Sequence, residues 1–244
     1  MSRIVYKLNG YNLNELGIIV KSADGLIDLP ELKKRQEFNW ADMHGKIIDT
    51  RRPYFEPRTI TLDCAWPIEA GGAYNMQTAQ QKIREDLLNM GEPVQLVVDL
   101  GLTMEVHGSD VSRPLVFNVL QDKAVQFGRK YSGDTVLLTF KITLIEPQPC
   151  KAVLKHTAGN STHETTLAFT VADNSTLFDV DWGDGAVTYD AKAAQSTSPF
   201  SISLQHTYTA NGTYYIVLQG DIANVNTISQ TGSVPNPLLL WTLK

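Results

Sequence analysis

One segment of this 244-residue sequence, and only one, repeats its apolar side chains at helical spacing. Between Asn75 and Met90 they fall at Met76, Ala79, Ile83, Leu87 and Met90, which traces a single helical face. Asn75 can cap the start, and Gly91 with Pro93 just beyond it ends the run. Apolar residues elsewhere follow strand periodicity. Thr59 to Trp66 (TITLDCAW) sets Ile60, Leu62, Cys64 and Trp66 against Thr61, Asp63 and Ala65, the signature of a half-buried strand. Strands are also expected at Ile4 to Leu8, Gly17 to Val20, Val94 to Leu100, Thr103 to His107, Leu115 to Gln121, Gln126 to Lys130 and Thr135 to Ile145. So many strands around one helix exclude a βαβ fold and predict a mainly β chain.

Charge divides the sequence in two. Residues 1–150 hold 17 Lys/Arg and 19 Asp/Glu, whereas residues 151–244 hold 4 and 7 and are rich in Thr, Ser and Asn. The shift coincides with Glu146-Pro147-Gln148-Pro149-Cys150, whose prolines favour extended backbone. We therefore expect a domain at 1–147, a second at 152–244, and a short, stiff, protease-accessible linker between them. The first should be a β-sandwich or barrel-like domain with one amphipathic helix at about 75–90. The net charge of -5 argues against a sequence-specific or general nucleic-acid binder. No apolar run reaches the roughly 18 residues of a membrane span, and Met1 to Gly10 lacks a signal-peptide core. No membrane insertion is expected, and synthesis is expected in the cytoplasm. Cys64 and Cys150 are too few for a disulfide framework or a four-cysteine zinc site and read as reduced thiols.

Residues 31–38 (ELKKRQEF) fit helix or strand, and Asp42-Met43-His44-Gly45 reads as a hairpin tip leading into Lys46-Ile47-Ile48-Asp49. Trp40 and Met43 near such a tip are large apolar groups of the kind that mark a contact surface. With His44, Arg51 and Arg52 they form the candidate oligomer interface. Lys33-Lys34-Arg35, flanked by Glu31 and Glu37, reads as a solvated mixed-charge face.

The opening YKLNGYNLNELGIIVKSADG resembles the first strands of phage distal tail proteins. The likeness continues through LPELKKRQEF, DMHGKIID, TITLDCAW, the single helix and the closing TFKITLIEP, to about residue 147. It implies a siphophage-type ring subunit, usually six copies, at the tail tip, joining the tail tube to tail-tip or fibre proteins. It also implies that a long hairpin pairs with the neighbouring subunit, and residues 31–50 are the segment that would do so.

In the second part, Phe178 to Asp181 leads into Trp182-Gly183-Asp184-Gly185, a tight-turn signal. His206-Thr207-Tyr208 follows, and Asn211-Gly212 then turns into the strand Thr213 to Leu218. This pairing resembles the PKD-type immunoglobulin-like domain over residues 152 to about 230, with Trp182, Gly183, Asp184, Gly185, His206 and Tyr208 as its structural motif. An immunoglobulin-like β-sandwich is implied, and Asn236 to Lys244 should add an edge strand. Asp179, Asp181 and Asp184 do not keep the spacing of a calcium loop and read as strand and turn residues.

No catalytic motif stands out. There is no zinc-binding histidine pair, no G-x-S-x-G elbow and no phosphate loop, and His107-Gly108-Ser109-Asp110 reads as a turn. We expect no enzyme activity, no metal and no cofactor. The leading reading is a phage or prophage virion protein, a ring subunit at the tail tip with a C-terminal adhesion module facing host glycan or protein. The alternative is a bacterial surface or secreted glycan-binding protein carrying a PKD-type domain.

Overall fold

The computed structural model describes residues 4–35, 37–39, 44, 47–48, 54–69, 75–89, 92–101, 103–106, 109–132, 135–159, 163–173, 175–193, 198–231 and 238–242. The chain is mainly β, as its periodicity predicts. Its first unit contains β1 (Val5–Leu8), β2 (Tyr11–Asn12), β3 (Ile19–Asp24), β4 (Glu37–Phe38), β5 (Ile47–Ile48) and β6 (Arg58–Glu69). After the helix come β7 (Val94–Asp99), β8 (Thr103–Val106), β9 (Ser109–Ser112), β10 (Leu115–Gln121), β11 (Gln126–Ser132) and β12 (Thr135–Glu146).

The main sheet of this unit runs β2-β1-β7-β10-β12-β6-β3, with β11 also paired to β12. β10 joins its two halves: Leu115 to Val119 pair with β7, and Leu120 and Gln121 pair with β12. Side chains from both halves, including Leu96, Phe117, Ile60, Leu62 and Phe140, meet in one core. The helix α1 (Met76–Lys82) adds Ala79 to that core. Asn75 caps it as expected, with Asn75 and Thr78 each accepting the other's backbone N–H through their side chains. The helix then widens into a π-turn over Ile83–Leu87, which keeps Ile83 and Leu87 inward. The regular helix is thus shorter than the 75–90 pattern suggests; Asn89 already has φ +38, and Met90 and Gly91 lie outside the described residues. The segment Thr103–Ser112 forms a hairpin of β8 and β9. Ser109 and Asp110 are thus strand residues rather than turn residues, whereas His107 and Gly108 are outside the described set.

The second unit is a two-sheet sandwich. Its strands are β13 (Lys151–Ala158), β14 (Glu164–Val171), β15 (Phe178–Asp181), β16 (Val187–Ala191), β17 (Phe200–Thr207), β18 (Gly212–Gly220), β19 (Val225–Thr231) and β20 (Leu238–Thr242). The sheets run β16-β15-β18-β13-β20 and β17-β14-β19. The tail therefore does supply an edge strand, β20, beside β13. Alternation decides what each strand buries. On β13 and β18, Ala152, Leu154, Ile216 and Leu218 enter the sandwich core, while Val153 and Val217 point the other way. There they meet Val97 of β7 and Val116 of β10, so a small third apolar cluster joins the two units.

Candidate assembly interface

The described residues between 31 and 56 outline a hairpin arm at the side of the first unit. At its root Leu32 and Phe55 form an antiparallel bridge, Lys33 N–H donates to Tyr54 O at 2.8 Å, and Glu56 N–H donates to Glu31 O at 2.7 Å. Farther out, Glu37 pairs with Ile48 and Phe38 with Ile47. So residues 31–38, left open between helix and strand by the sequence, are extended. The arm springs from a fixed point. Gly25 has φ +81 just after β3, and a Cβ there would lie 2.1 Å from Thr59 O. Only glycine fits both the left-handed backbone and that approach.

The described residues of the arm add nothing to a core. Every described residue from Glu31 to Asn39 is exposed, and no described arm residue belongs to an apolar cluster. Phe38 is 44% exposed and Tyr54 67%, with Leu32 also open. Ile27 and Leu29, on the approach to the root, are each 79% exposed. Beside them the edge strand β3 borders a groove of about 420 Å³ lined by Ile4, Ile19 and Ile27 among others. An isolated two-stranded hairpin is at best marginal in water, and clustered exposed apolar groups mark contact surfaces. Of the residues singled out in the sequence, His44 is exposed in the tip region, and Trp40, Met43, Arg51 and Arg52 lie outside the described residues.

The junction of the two units departs from the expected open linker. Only four residues separate Glu146, the last of β12, from Lys151, the first of β13, and both side chains are fully buried. Their carboxylate and ammonium are in contact. Arg58, cross-strand from Glu146, brings its Nε to 3.6 Å from the same carboxylate. Lys151 Nζ sits 4.5 Å from the Phe117 ring centroid and Arg58 Cζ 5.4 Å. Burial pushes the Lys151 ammonium down to about 8, against the opposing pull of Glu146, and pushes the Glu146 carboxyl upward. Gln95 Nε2 donates to Tyr215 O at 3.0 Å, Asn118 Nδ2 to Gln219 Oε1 at 3.2 Å, and Gln219 Nε2 to Gln148 O at 3.3 Å. Pro147 and Gln148 are exposed, but the chain beyond Lys151 is a central strand hydrogen-bonded on both sides. Protease entry across 146–156 is therefore not expected.

The sequence motif of the second unit folds into one cluster. Trp182 and Tyr208 are buried, and Tyr208 Oη donates to Trp182 O at 3.0 Å. His206 stacks on Trp182 at 4.8 Å, and its Nε2 lies 2.8 Å from Asp184 Oδ2. Tyr208 stacks on Tyr214 at 4.1 Å. Gly183 (φ +82) and Gly185 (φ +93) make the turn. The three aspartates each serve backbone: Asp179 accepts from Asp190 N–H, Asp181 from Gly183 N–H and Asp184 from Ala186 N–H. Cys64 and Cys150 are free thiols, and burial pushes Cys64 up to about 12, far from a reactive thiolate. Among the described residues, no three His, Cys, Asp or Glu side chains are grouped to hold a metal, and no helix is long and apolar enough to cross a membrane.

No family model and no curated protein matches the chain. Solved structures similar to it are phage hub and baseplate components. One is SPP1 Dit, described as a paradigm of the hub adsorption apparatus in phages infecting Gram-positive bacteria; it shares 11% identity over 91% of this chain and 100% of its own, with a TM-score of 0.38. Another is a chain of the phage p2 baseplate in its activated conformation with Sr, at 8% identity over 95% of this chain and 98% of its own, with a TM-score of 0.40.

Proposed function

We propose that the chain is a phage or prophage tail structural protein that closes into a ring through its first unit, between the tail tube and the host-recognition apparatus. The observation that carries this reading is the arm, a hairpin whose Leu32, Phe38 and Tyr54 are exposed and whose described residues join no apolar core. The resemblance of residues 1–147 to distal tail proteins supplies its occupant, the neighbouring subunit. Fully burying a large apolar side chain is worth about 1.5–3 kcal/mol. Scaled by their present exposure, Leu32, Phe38, Tyr54, Ile27 and Leu29 together are then worth about 5–10 kcal/mol, within the ~4–15 kcal/mol range of the cost of association. One such contact is weak. A closed ring gives every subunit two of them, which makes the ring the stable species.

The second unit, read as a PKD-type module, is carried outward as an adhesion element for host glycan or protein. Its short connection to the ring, flanked by the buried Glu146–Lys151 pair, fits a mount of fixed direction. Electron microscopy of the full chain at tens of micromolar tests this reading. Closed rings of one copy number, six by the family resemblance, are expected; monomers alone would overturn it.

A further inference from the structure

The joint between the two units leaves a cleft of about 110 Å³ with walls from both. Asn118 of β10 and Gln148 of the connector face Asp179, Asp181, Tyr189 and Gln219 of the second unit. Asp179 and Asp181 are two positions apart on β15 and so share a face of the strand. Asn118 is only 6% exposed; its amide group donates to Gln219 and hydrogen-bonds Asp181, and its Oδ1 has no donor among the described residues. The cleft thus carries two carboxylates and one unsatisfied acceptor between apolar walls from Pro93, Leu120, Pro147 and Val187, and no basic side chain lines it.

Those valences select the ligand. An anion would be repelled, and a purely apolar group would cover the buried Asp181 carboxylate without a counter-charge and leave the Asn118 carbonyl without a donor. The volume is well below the roughly 300–1,000 Å³ of small-molecule sites, so the space admits one functional group rather than a sugar ring or a cofactor. Tyr189, 60% exposed at the rim, presents an aromatic face of the kind that attracts cations. We propose that this cleft is a socket for one organic cation, a lysine or arginine side chain presented by a partner protein. The two carboxylates supply the counter-charge, Asn118 an acceptor, and Tyr189 the outer wall. The fixed joint holds the socket preformed, and the socket lies apart from the arm, so the proposal stands whether or not the protein forms rings.

Saturation-transfer NMR on the full chain tests it, with Nα-acetyl-lysine amide and Nα-acetyl-arginine amide as probes. Transfer to the charged end of at least one probe is expected, with millimolar affinity that weakens as salt rises. Tyr189→Ala and Asp179→Asn should each weaken binding about tenfold or more, and Nε-acetylation of the lysine probe should abolish it. Tyr189 is exposed and Asn keeps the Oδ1 that accepts from Asp190, so both variants are expected to fold. No transfer to either probe, undiminished transfer in both variants, or displacement of the probes by micromolar calcium would overturn the proposal.

Discussion

Glu146 and Lys151, five residues apart where the chain passes from one core to the next, bury their side chains completely and against each other. With Arg58 they place two cations on one carboxylate, beside the Phe117 ring. Removing the carboxylate is the damaging change, because it strands both cations. Glu146→Ala should cost about 3–5 kcal/mol in urea unfolding. Lys151→Met, which leaves the Arg58–Glu146 pair and fills the space, should cost clearly less. Equal losses in the two variants would show that the cluster is not organised around Glu146.

Asp181 sets a pH dependence. Burial is the largest influence on its carboxyl and pushes the pKa up to about 6 from the ordinary 3.8, partly opposed by the Gly183 N–H. The folded state therefore binds a proton that the unfolded state releases between those values. Stability from this group is present below about 3.8 and is lost as pH rises through 6. Asp181→Asn removes the titration. The stability of the parent minus that of the variant should increase on lowering the pH from 7 to 4, by at most on the order of 3 kcal/mol. A difference that is flat across this range would contradict the burial argument.

Tyr208 ties the two halves of the second unit's motif through its bond to Trp182 O. Tyr208→Phe keeps the ring stacked on Tyr214 but strips that buried carbonyl of its tyrosine donor. A loss of about 1–2 kcal/mol is expected in chemical denaturation, with near-ultraviolet circular dichroism of the Trp182 environment otherwise kept.

The β-rich fold, the helix start at Asn75, the edge strand near the C-terminus and the turn at Gly183–Gly185 were legible because each rests on local pattern. Alternation reports a strand with one buried face, and β12 reads that way from Leu138 to Leu144. The joint was hidden for the same reason. Val97, Val116, Val153 and Val217 lie on the outward faces of strands whose other faces fill a core, and only their mutual contact explains them. The continuous runs AVL at 152–154 and IVL at 216–218 are the available signal, since a strand buried on both faces loses its alternation. Glu146 lies only five residues away, but nothing local reveals that Lys151 is buried, because the Phe117 ring beside it comes from elsewhere in the chain. The arm was legible as a hairpin, but the exposure of its described residues Leu32, Phe38 and Tyr54 was visible only in three dimensions.

Gly25 fixes where the arm begins. Gly25→Ala would force Cβ toward Thr59 O and a side chain into φ +81. A fall in melting temperature is expected, corresponding to more than about 1 kcal/mol, whereas Gly10→Ala, with open space around its Cβ position but the same backbone strain, should cost less.

The central claim is that the arm holds the ring together. Glu31 and Glu56 are joined by a backbone hydrogen bond, so a short Gly-Ser turn can replace residues 31–56 without disturbing the sheet. Light scattering after size exclusion, on the full chain and on this arm-less variant at tens of micromolar, is the direct measurement. The account predicts a multimer of defined mass for the full chain and a monomer with an unchanged cooperative melt for the variant. A monomeric full chain, or an arm-less protein that still assembles, would contradict it.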